Sequence, residues 1–583
     1  MTLVLAVCFP AAGEGSREYN AINNSARSQL SGVTIHYVYL KQGEKLYIGS
    51  STTRNTDYDV SLTSPDGTQS TYDIEQNGVG HIVNRTQELA GPKPLNSSGY
   101  NPIVYTASAE GIYTVRFRDN PNYTDNVYCN ILNKNDWNSL SCGCTLAWDM
   151  TVSSASGNRI NGRVFSPAMN LAAQQSNKVG RIDEVDPATA SVYILTDNGY
   201  QYKFTMRDVY PWAYTLYFSN IGIMVNNHSA YTSIHQSTPG YSIFSRSNFV
   251  RQSNGGIMYR TFYNRPDAAL LQYLGLPADG SPVIPEIRDF KFQSTSNLAN
   301  KEYSGEGGIF NFDSSVTNGK YTFTLSFANG KNIVRSGQLS ANNSISWDGK
   351  DNEGNVVESG EITASIDLIP GETHFVLDDF EQITDGIVIE RLNGSSSNRY
   401  KVYYDHTPQS VDGYYNNLDT VCDGTNYGGT CPIGYTTKTF TNQNRWVVDA
   451  DDTSVRYLYG NLSNLDGVDS SGGASITTNY FSDHKSFDLW AYDDAAAPTS
   501  INIKVISNEK INIQVNKHWE DDSNRDGVRP STISVKLLQN EIEYDTAAIT
   551  GSSSNTWTYT FRNLPKYNTD GELFEYSVEE VVE

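Results

Sequence analysis

INIQVNKHW, residues 511–519, alternates apolar and polar side chains over its whole length. Successive side chains of a β-strand point to opposite faces of the sheet, so the odd-numbered residues share one face. All but one of them are apolar, which identifies their face as the one that packs in a core. The exception is Lys517, whose ammonium group would be costly to bury without a partner.

A second stretch near the end of the sequence has the same pattern with a charge of opposite sign. Phe574, Tyr576, Val578 and Glu580 share one parity, so a carboxylate also points toward an apolar face. A buried charge is tolerated when it is paired. We therefore expect Lys517 and Glu580 to meet inside one small sandwich.

The segments around these two strands carry a family resemblance. They are, in order, Val515–Trp519, Asp521–Pro530, Ile533–Leu538, Asn555–Tyr567 and Tyr576–Glu580. Their residues and their order resemble the Cna protein B-type domain over the last part of the chain, residues 510–583. The resemblance implies a β-sandwich of the kind that forms stalks in cell-wall-anchored proteins of Gram-positive bacteria.

The resemblance also implies a reaction. In many family members a first-strand lysine forms an isopeptide bond with an asparagine of the last strand, helped by a glutamate. Carried over, Lys517 is the amine nucleophile and Glu580 is the acid that polarises the amide carbonyl and shuttles protons. The acceptor asparagine is absent because the sequence stops at Glu583, so we expect an unreacted pair in this chain. The alternative is an ordinary ion pair, or a lysine whose ammonium reaches solvent.

Length and composition place the whole chain in one structural class. At 583 residues the chain is too long for a single core. Tyrosine is abundant, with 39 residues, and together with Thr, Ser, Asn and Gly it favours strands and turns over helices. We predict an all-β protein of tandem β-sandwich or Ig-like domains with very little helix. The formal net charge of −23 argues against nucleic-acid binding, which needs a basic surface.

Local patterns suggest where the domains lie. Residues 191–204 form a predicted hairpin around Asn198-Gly199, and residues 265–275 form a short predicted helix. Alternation in residues 321–327 and 362–368, with the turn Trp347–Asn355 between them, resembles an Ig-like domain of the flagellar hook-capping type. The predicted division is a signal-peptide remnant at 1–13, a jelly-roll-like β-sandwich at 25–150, an irregular β-rich domain at 151–289, an Ig-like β-sandwich at 290–370, a β-rich domain at 371–500 and a truncated Cna B-type β-sandwich at 508–583.

The N-terminal segment resembles the end of a secretory signal peptide. Leu3–Phe9 is an apolar run, and Pro10–Gly13 follows it with the small residues of a cleavage region. The first cationic side chain is Arg17. Either the basic start of the leader lies upstream, or this interpretation is wrong.

Two pairs of cysteines and one acidic turn are candidates for cross-links or metal sites. Cys422 and Cys431 flank a turn-rich loop and are disulfide candidates in a secreted protein. Cys142 and Cys144 have no second ligand pair at zinc spacing. Asp521–Gly527 lacks the spacing of an EF-hand calcium loop, and an ordinary acidic turn explains it without an ion. We expect no metal and no cofactor.

The sequence favours a structural function over an enzymatic one. Gly-x-Ser-x-Gly, His-Glu-x-x-His and phosphate-loop motifs are absent, and no apolar run is long enough for a transmembrane helix. We predict a secreted, non-enzymatic, adhesin-type protein of the bacterial cell surface. Its N-terminal β domains would bind a host or matrix protein or a glycan. The Cna B-type stalk would lead to a cell-wall anchor that this sequence lacks.

Two other functions remain open. A secreted carbohydrate-active enzyme or peptidase would show a pocket with convergent carboxylates in residues 145–290 or 371–500. A carbohydrate-binding module would show a shallow groove lined by exposed aromatic side chains, for which Trp212, Tyr214 and Tyr217 are candidates. Such aromatic residues are more often part of a core.

Overall fold

The structure is a computed structural model that describes most of the chain. The described residues are 13–19, 28–30, 35–53, 58–118, 145–173, 188–209, 214–229, 234–235, 241–242, 256–316, 319–369, 371–378, 387–399, 402–405, 445–448, 485–494 and 496–581.

Strands dominate these residues. Those of the first half are β1 (Glu14–Gly15), β2 (Ser28–Leu30), β3 (Ile35–Leu40), β4 (Lys45–Ser50), β5 (Val60–Thr63), β6 (Gln69–Tyr72), β7 (Ile103–Thr106), β8 (Gly111–Phe117), β9 (Trp148–Ser153), β10 (Arg159–Ile160), β11 (Val164–Ser166), β12 (Ala168–Ala173), β13 (Ala188–Leu195), β14 (Gln201–Val209), β15 (Tyr214–Ser219), β16 (Met224–Val225), β17 (His228–Ser229), β18 (Ile234–His235), β19 (Tyr241–Ser242) and β20 (Arg260–Phe262). Those of the second half are β21 (Ile287–Ser294), β22 (Lys301–Tyr303), β23 (Gly308–Ser314), β24 (Lys320–Ser326), β25 (Ile333–Gln338), β26 (Asn342–Trp347), β27 (Gly360–Ile369), β28 (Glu372–Asp378), β29 (Ile387–Arg391), β30 (Val402–Asp405), β31 (Arg445–Val448), β32 (Lys485–Tyr492), β33 (Thr499–Ile506), β34 (Lys510–His518), β35 (Thr532–Gln539), β36 (Ile542–Thr550), β37 (Thr556–Pro565) and β38 (Tyr576–Val581).

Helix is scarce. The α-helices in the described ranges are α1 (Arg85–Ala90) and α2 (Ala268–Tyr273). The predicted all-β class, with β-sandwich domains and very little helix, is confirmed. Within the same ranges, no helix combines the length and the apolar character needed to cross a membrane.

The chain folds into two compact units that interleave along the sequence. Unit 1 draws on Met1–Ile284 and Gly371–Asp494, and unit 2 draws on Pro285–Pro370 and Ala495–Glu583. The segments predicted as separate domains at 25–150, 151–289 and 371–500 therefore contribute to one unit. The reason is strand pairing over long sequence distances, since β28 pairs with β15 and β29 pairs with β14. Local patterns do not reveal such pairing.

Unit 1 contains three large sheets in its described residues. The strand orders are β29-β14-β13-β20-β11-β3-β8-β5-β6, then β2-β12-β15-β28-β32-β30-β31 with β18 beside β32, and β1-β9-β4-β7 with β10 beside β9. One hydrophobic core draws on all three sheets, including Ile48 of β4, Phe204 of β14, Phe218 of β15 and Phe375 of β28. Phe375 contacts Phe218 with ring centroids 5.8 Å apart. Because β28 lies beyond Pro370, this core is completed only by the second segment of unit 1.

The first part of unit 2 is a two-sheet module. Its sheets are β21-β23-β26 and β22-β33-β27-β24-β25. They pack through aromatic side chains, since Phe310 of β23 and Phe323 of β24 have ring centroids 4.8 Å apart. The strand β33 pairs with β27 and lies outside the predicted range 290–370. The module therefore needs a strand that follows the second segment of unit 1. Its resemblance to the hook-capping type stays a prediction.

The C-terminal module of unit 2 is a small sandwich. One sheet pairs β34 with β37, and the other has the order β36-β35-β38. Its core includes Val535, Leu537, Trp557 and Phe561, all almost fully buried. Only three residues, 507–509, separate β33 of the preceding module from β34.

Candidate functional site

The strands β34 and β38 bring the predicted pair to the inner face of the C-terminal sandwich. Lys517 lies opposite Trp557 in the β34–β37 register, and Glu580 lies opposite Val535 in the β35–β38 register. Directly opposite residues of an antiparallel pair point to the same face. Trp557 and Val535 are each 3% exposed, so both charged side chains start from the core-facing side of their sheets.

The two side chains meet. Lys517 Nζ donates to Glu580 Oε2 at 2.7 Å and to Oε1 at 3.0 Å. The residues are 63 positions apart in sequence, so the contact joins the two sheets of the sandwich.

The pair is less buried than the sequence pattern predicts. The side chain of Lys517 is 26% exposed and that of Glu580 is 39% exposed. The reason is the position of both residues on edge strands, since β34 pairs with β37 and β38 pairs with β35 on one side each. The predicted interior pair is therefore a partly solvated one, and solvent reduces the stabilisation that it gives.

An aromatic side chain supports the amine. Lys517 Nζ lies 4.7 Å from the ring centroid of Trp519, a distance at which a cation is attracted to the ring face. Trp519 in turn meets Trp557 edge to face at 5.1 Å between ring centroids. The ammonium is thus held between a carboxylate and an indole, and both restrict its position.

The acidic loop that follows β34 is organised by an arginine. Arg529 Nε donates to Asp521 Oδ2 at 2.6 Å, and Nη2 of the same guanidinium donates to Oδ1. The hydrogen bonds to Arg529 hold the pKa of Asp521 below its ordinary value. Asp522, Ser523 and Asn524 follow with positive φ of 53°, 63° and 63°. Both carboxylate oxygens of Asp521 thus bind a side-chain cation of the domain itself.

Several predicted residues lie outside the described residues. Cys422, Cys431 and Trp212 are among them. The disulfide between the two cysteines therefore stays a prediction. Tyr217, proposed as a sugar-stacking residue, is fully buried in unit 1. It belongs to the core there, as the alternative interpretation expected.

Sequence reasoning missed a buried charged cluster in unit 1. His374 Nδ1 lies 2.8 Å from Asp488 Oδ1, and Nε2 lies 3.2 Å from Glu372 Oε2. Burial alone lowers the pKa of His374, but the two carboxylates outweigh it and raise the pKa to about 9. Asp488 stands 114 positions from His374, and no local pattern links them. The side chains of His374 and Asp488 are fully buried, so these two groups face each other and not solvent.

Comparison with known proteins identifies the C-terminal module. Residues 513–583 match the family model of the Cna protein B-type domain. The chain is also similar to a collagen adhesin from Staphylococcus aureus, with 42% identity over 72 residues. That match covers 12% of this chain and 6% of the adhesin, so the chain spans a small part of that relative's length.

Two solved structures show a weaker likeness. Two B repeat units (B1B2) of the collagen binding protein of Staphylococcus aureus align with 15% identity and a TM-score of 0.14, covering 45% of this chain and 62% of that one. A DUF4785 family protein from Legionella pneumophila aligns with 9% identity and a TM-score of 0.11, covering 63% of this chain and 92% of that one. At these scores neither likeness carries an argument about fold or function. The family match and the sequence relative establish that residues 513–583 are a Cna protein B-type domain.

Proposed function

We propose that this chain is a non-enzymatic, adhesin-type protein exported to a bacterial surface. Unit 1 carries the ligand-binding function, and the B-type domain is part of a stalk that leads toward the cell wall. The observation that carries the proposal is the B-type domain itself, whose sequence relative is a collagen adhesin. Leu3–Phe9 fits this proposal as the remnant of an export signal.

The charged pair fits a stalk that bears load. Lys517 and Glu580 stand on the edge strand of each sheet, where a further strand would be added. An asparagine on that strand would complete the set implied by the family. Attack of the neutral amine on the carboxamide carbon forms the isopeptide bond and breaks the bond to the amide nitrogen, which leaves as ammonia. Before the attack Glu580 takes a proton from the Lys517 ammonium, and it gives that proton to the departing nitrogen.

One charged cluster of unit 1 is shielded from solvent. One group of titratable side chains in the described residues of this unit is His374, Asp488 and Glu372, and His374 and Asp488 are fully buried. A general acid or base must come within hydrogen-bond reach of its substrate. These side chains face one another instead, which fits a structural role.

The first ligand class to test is a matrix protein, because the similar relative is named a collagen adhesin. The full chain is immobilised, and binding of fibrillar collagen, other matrix proteins and a glycan array is measured. Saturable binding of a matrix protein is the expected result. Hydrolysis of a glycan or a protein by the purified chain would overturn the proposal in favour of an enzyme, whereas binding of glycans alone would replace the matrix protein by a glycan as the ligand.

A further inference from the structure

Two lysines lie side by side on the first module of unit 2. Lys301 of β22 pairs with Lys504 of β33 in parallel register, so both side chains extend from the same face of the sheet. The next pair in the register, Glu302 and Val505, is buried, so the two lysines point away from the module's core. Ammonium groups on neighbouring strands repel each other. An anion bound between them would remove this repulsion.

A loop of the B-type domain supplies that anion. Lys301 Nζ donates to Asp570 Oδ1 at 2.5 Å, and Lys504 Nζ donates to the backbone carbonyl oxygen of Asp570. The hydrogen bond from Lys301, and to a smaller extent the charge of Lys504, hold the pKa of Asp570 below its ordinary value. The carboxylate is therefore charged at neutral pH. Lys301 and Asp570 are 269 positions apart in sequence, and their contact joins the two modules.

The Asp570 loop, residues 568–572, is fixed by its own hydrogen bonds. Asn568 Oδ1 accepts the backbone N–H of Asp570 at 2.8 Å and that of Glu572 at 2.9 Å. Gly571 has a φ of 77°, which favours glycine. A Cβ at Gly571 would also lie 3.1 Å from Lys504 Cε, closer than an ordinary van der Waals contact. Because the loop is already ordered, it loses little conformational freedom when the lysines bind it.

The linker between the two modules is attached to the same part of the B-type domain. Lys566 Nζ donates to both carboxylate oxygens of Glu509, at 2.9 and 3.0 Å, and the backbone N–H of Lys566 donates to the Glu509 carbonyl at 3.1 Å. Lys566 and Asp570 both belong to the connection from β37 to β38. This connection is therefore held at two points, and two points restrict a rotation that a single hinge would allow.

We propose that Lys301 and Lys504 form a socket for the Asp570 loop, and that this socket holds the B-type domain in one docked orientation on the first module. The socket is an interaction surface whose partner is an acidic, internally hydrogen-bonded loop. It concerns the joint within unit 2 and requires neither a ligand of unit 1 nor an isopeptide bond. Its failure is therefore distinguishable from failure of the proposed function.

A distance measurement across the joint tests the orientation. Ser336 of β25 and Thr558 of β37 are exposed, and each is replaced in the full chain by a keto amino acid that carries a nitroxide, which leaves the cysteines unchanged. Double electron–electron resonance at low salt should give one narrow distance distribution. Asp570→Asn should broaden it and lower the ratio of docked to undocked molecules roughly threefold to tenfold, as for a carboxylate shared by two exposed cations. Equal distributions in the two chains would refute the socket.

Three further measurements attribute the effect to the socket. Lys301→Met should broaden the distribution as Asp570→Asn does, and the double substitution should add little to either; additive effects would show that the two groups do not act on each other. Asp545→Asn, at an exposed carboxylate of β36, is the matched control and should leave the distribution narrow. Raising NaCl to 1 M shortens the screening length to about 3 Å and should broaden the distribution of the unsubstituted chain only.

Chemical cross-linking measures the contact itself. A carbodiimide joins an amine to a carboxylate without a spacer, so only groups in contact react. We expect a cross-link between Lys301 and Asp570 in the full chain at low salt and its loss in 1 M NaCl, read by mass spectrometry of the digested protein. Absence of this cross-link at low salt, while Lys566 and Glu509 are linked, would overturn the proposal. Asp570 is exposed, so Asp570→Asn should leave both modules folded, which the fluorescence of Trp347 and Trp557 verifies.

Discussion

The contact between Lys517 and Glu580 shows what a strand pattern can and cannot predict about single residues. Parity placed both on core-facing sides, and the hydrogen bonds of 2.7 and 3.0 Å show that they meet. The alternation along a strand shows which face a residue occupies, but it does not show whether other strands lie on both sides. Burial depends on those neighbouring strands. Both strands lie at sheet edges, so the side chains keep 26% and 39% of their exposure.

Removal of this pair should therefore have a small effect on stability. We expect Glu580→Gln to lower the free energy of unfolding of the B-type domain by less than about 1 kcal/mol, because solvent screens the pair. Leu537→Ala is the matched core change, since Leu537 is fully buried in β35. It should cost about 2–5 kcal/mol. Denaturant unfolding followed by the fluorescence of Trp557 measures both; a larger loss for Glu580→Gln would contradict the partly solvated geometry.

Asp493 should make unit 1 more stable at mildly acidic pH. Burial raises the pKa of Asp493 to about 7. The hydrogen bond from Asn198 and the charge of Arg391 lower this pKa, but by less than burial raises it. The folded state therefore keeps the proton that the unfolded chain releases, and stability falls as the pH rises from about 4 to about 7. Asp493→Asn should remove this contribution, at most about 1.4 kcal/mol per pH unit. Thermal unfolding between pH 4.5 and 7.5 measures it, and an unchanged slope in Asp493→Asn would contradict the assignment.

Single elements were predictable where the pattern is local. The hairpin around Asn198-Gly199 is β13–β14, with Gly199 at a φ of 81°, which suits the turn. The helix predicted in 265–275 is α2, and its N-terminus is capped by Asp267, whose side chain accepts the N–H of Ala269 at 3.0 Å. In each case neighbouring residues alone determine the conformation.

The strand β33 shows where local reasoning ends. Its pattern is visible in the sequence, but its partners are β27 on one side and β22 on the other. More than a hundred residues separate it from β27, and residues of unit 1 occupy that interval. The buried cluster of His374 and Asp488 was missed for the same reason, because only pairing of β28 with β32 brings its members together.

The module at 285–370 should therefore depend on β33. Ile503 lies at the centre of this strand, opposite Ile362, and is fully buried. We expect Ile503→Ala to destabilise that module by about 2–5 kcal/mol, as for other large-to-small core changes. Hydrogen exchange of β24 and β27 measures the loss. The exposed neighbour Asn502→Ala is the control, and equal exchange in both variants would show that β33 is not part of the module's core.

At the scale of the whole molecule, the second segment of unit 1 interrupts the sequence of unit 2. On the side of unit 1, Asp493 donates its backbone N–H to the carbonyl of Gly371 at 2.9 Å, so the ends of its second segment meet. On the side of unit 2, Ile366 lies opposite Thr499 in the β27–β33 pair. Segments whose ends lie close together are the ones that a host domain tolerates as insertions. The second segment of unit 1 is thus inserted into a hairpin of unit 2.

This geometry predicts that unit 2 folds without unit 1. The pairing of β27 and β33 ends with Ile366 opposite Thr499, on strands about 4.8 Å apart. A chain of residues 285–370 joined to 495–583 by a short Asn-Gly turn should close the hairpin, because two-residue loops of this kind connect antiparallel strands. We expect cooperative unfolding, with protection of β24 and β27 equal to that in the full chain. The matched control joins 285–370 to 507–583 and omits β33; it should leave the first module unfolded, because the sheet loses the strand that lies between β22 and β27. The prediction is wrong if the first module is unfolded in the joined chain with β33 while the B-type domain remains folded. That result would mean that the first module needs unit 1 in order to fold.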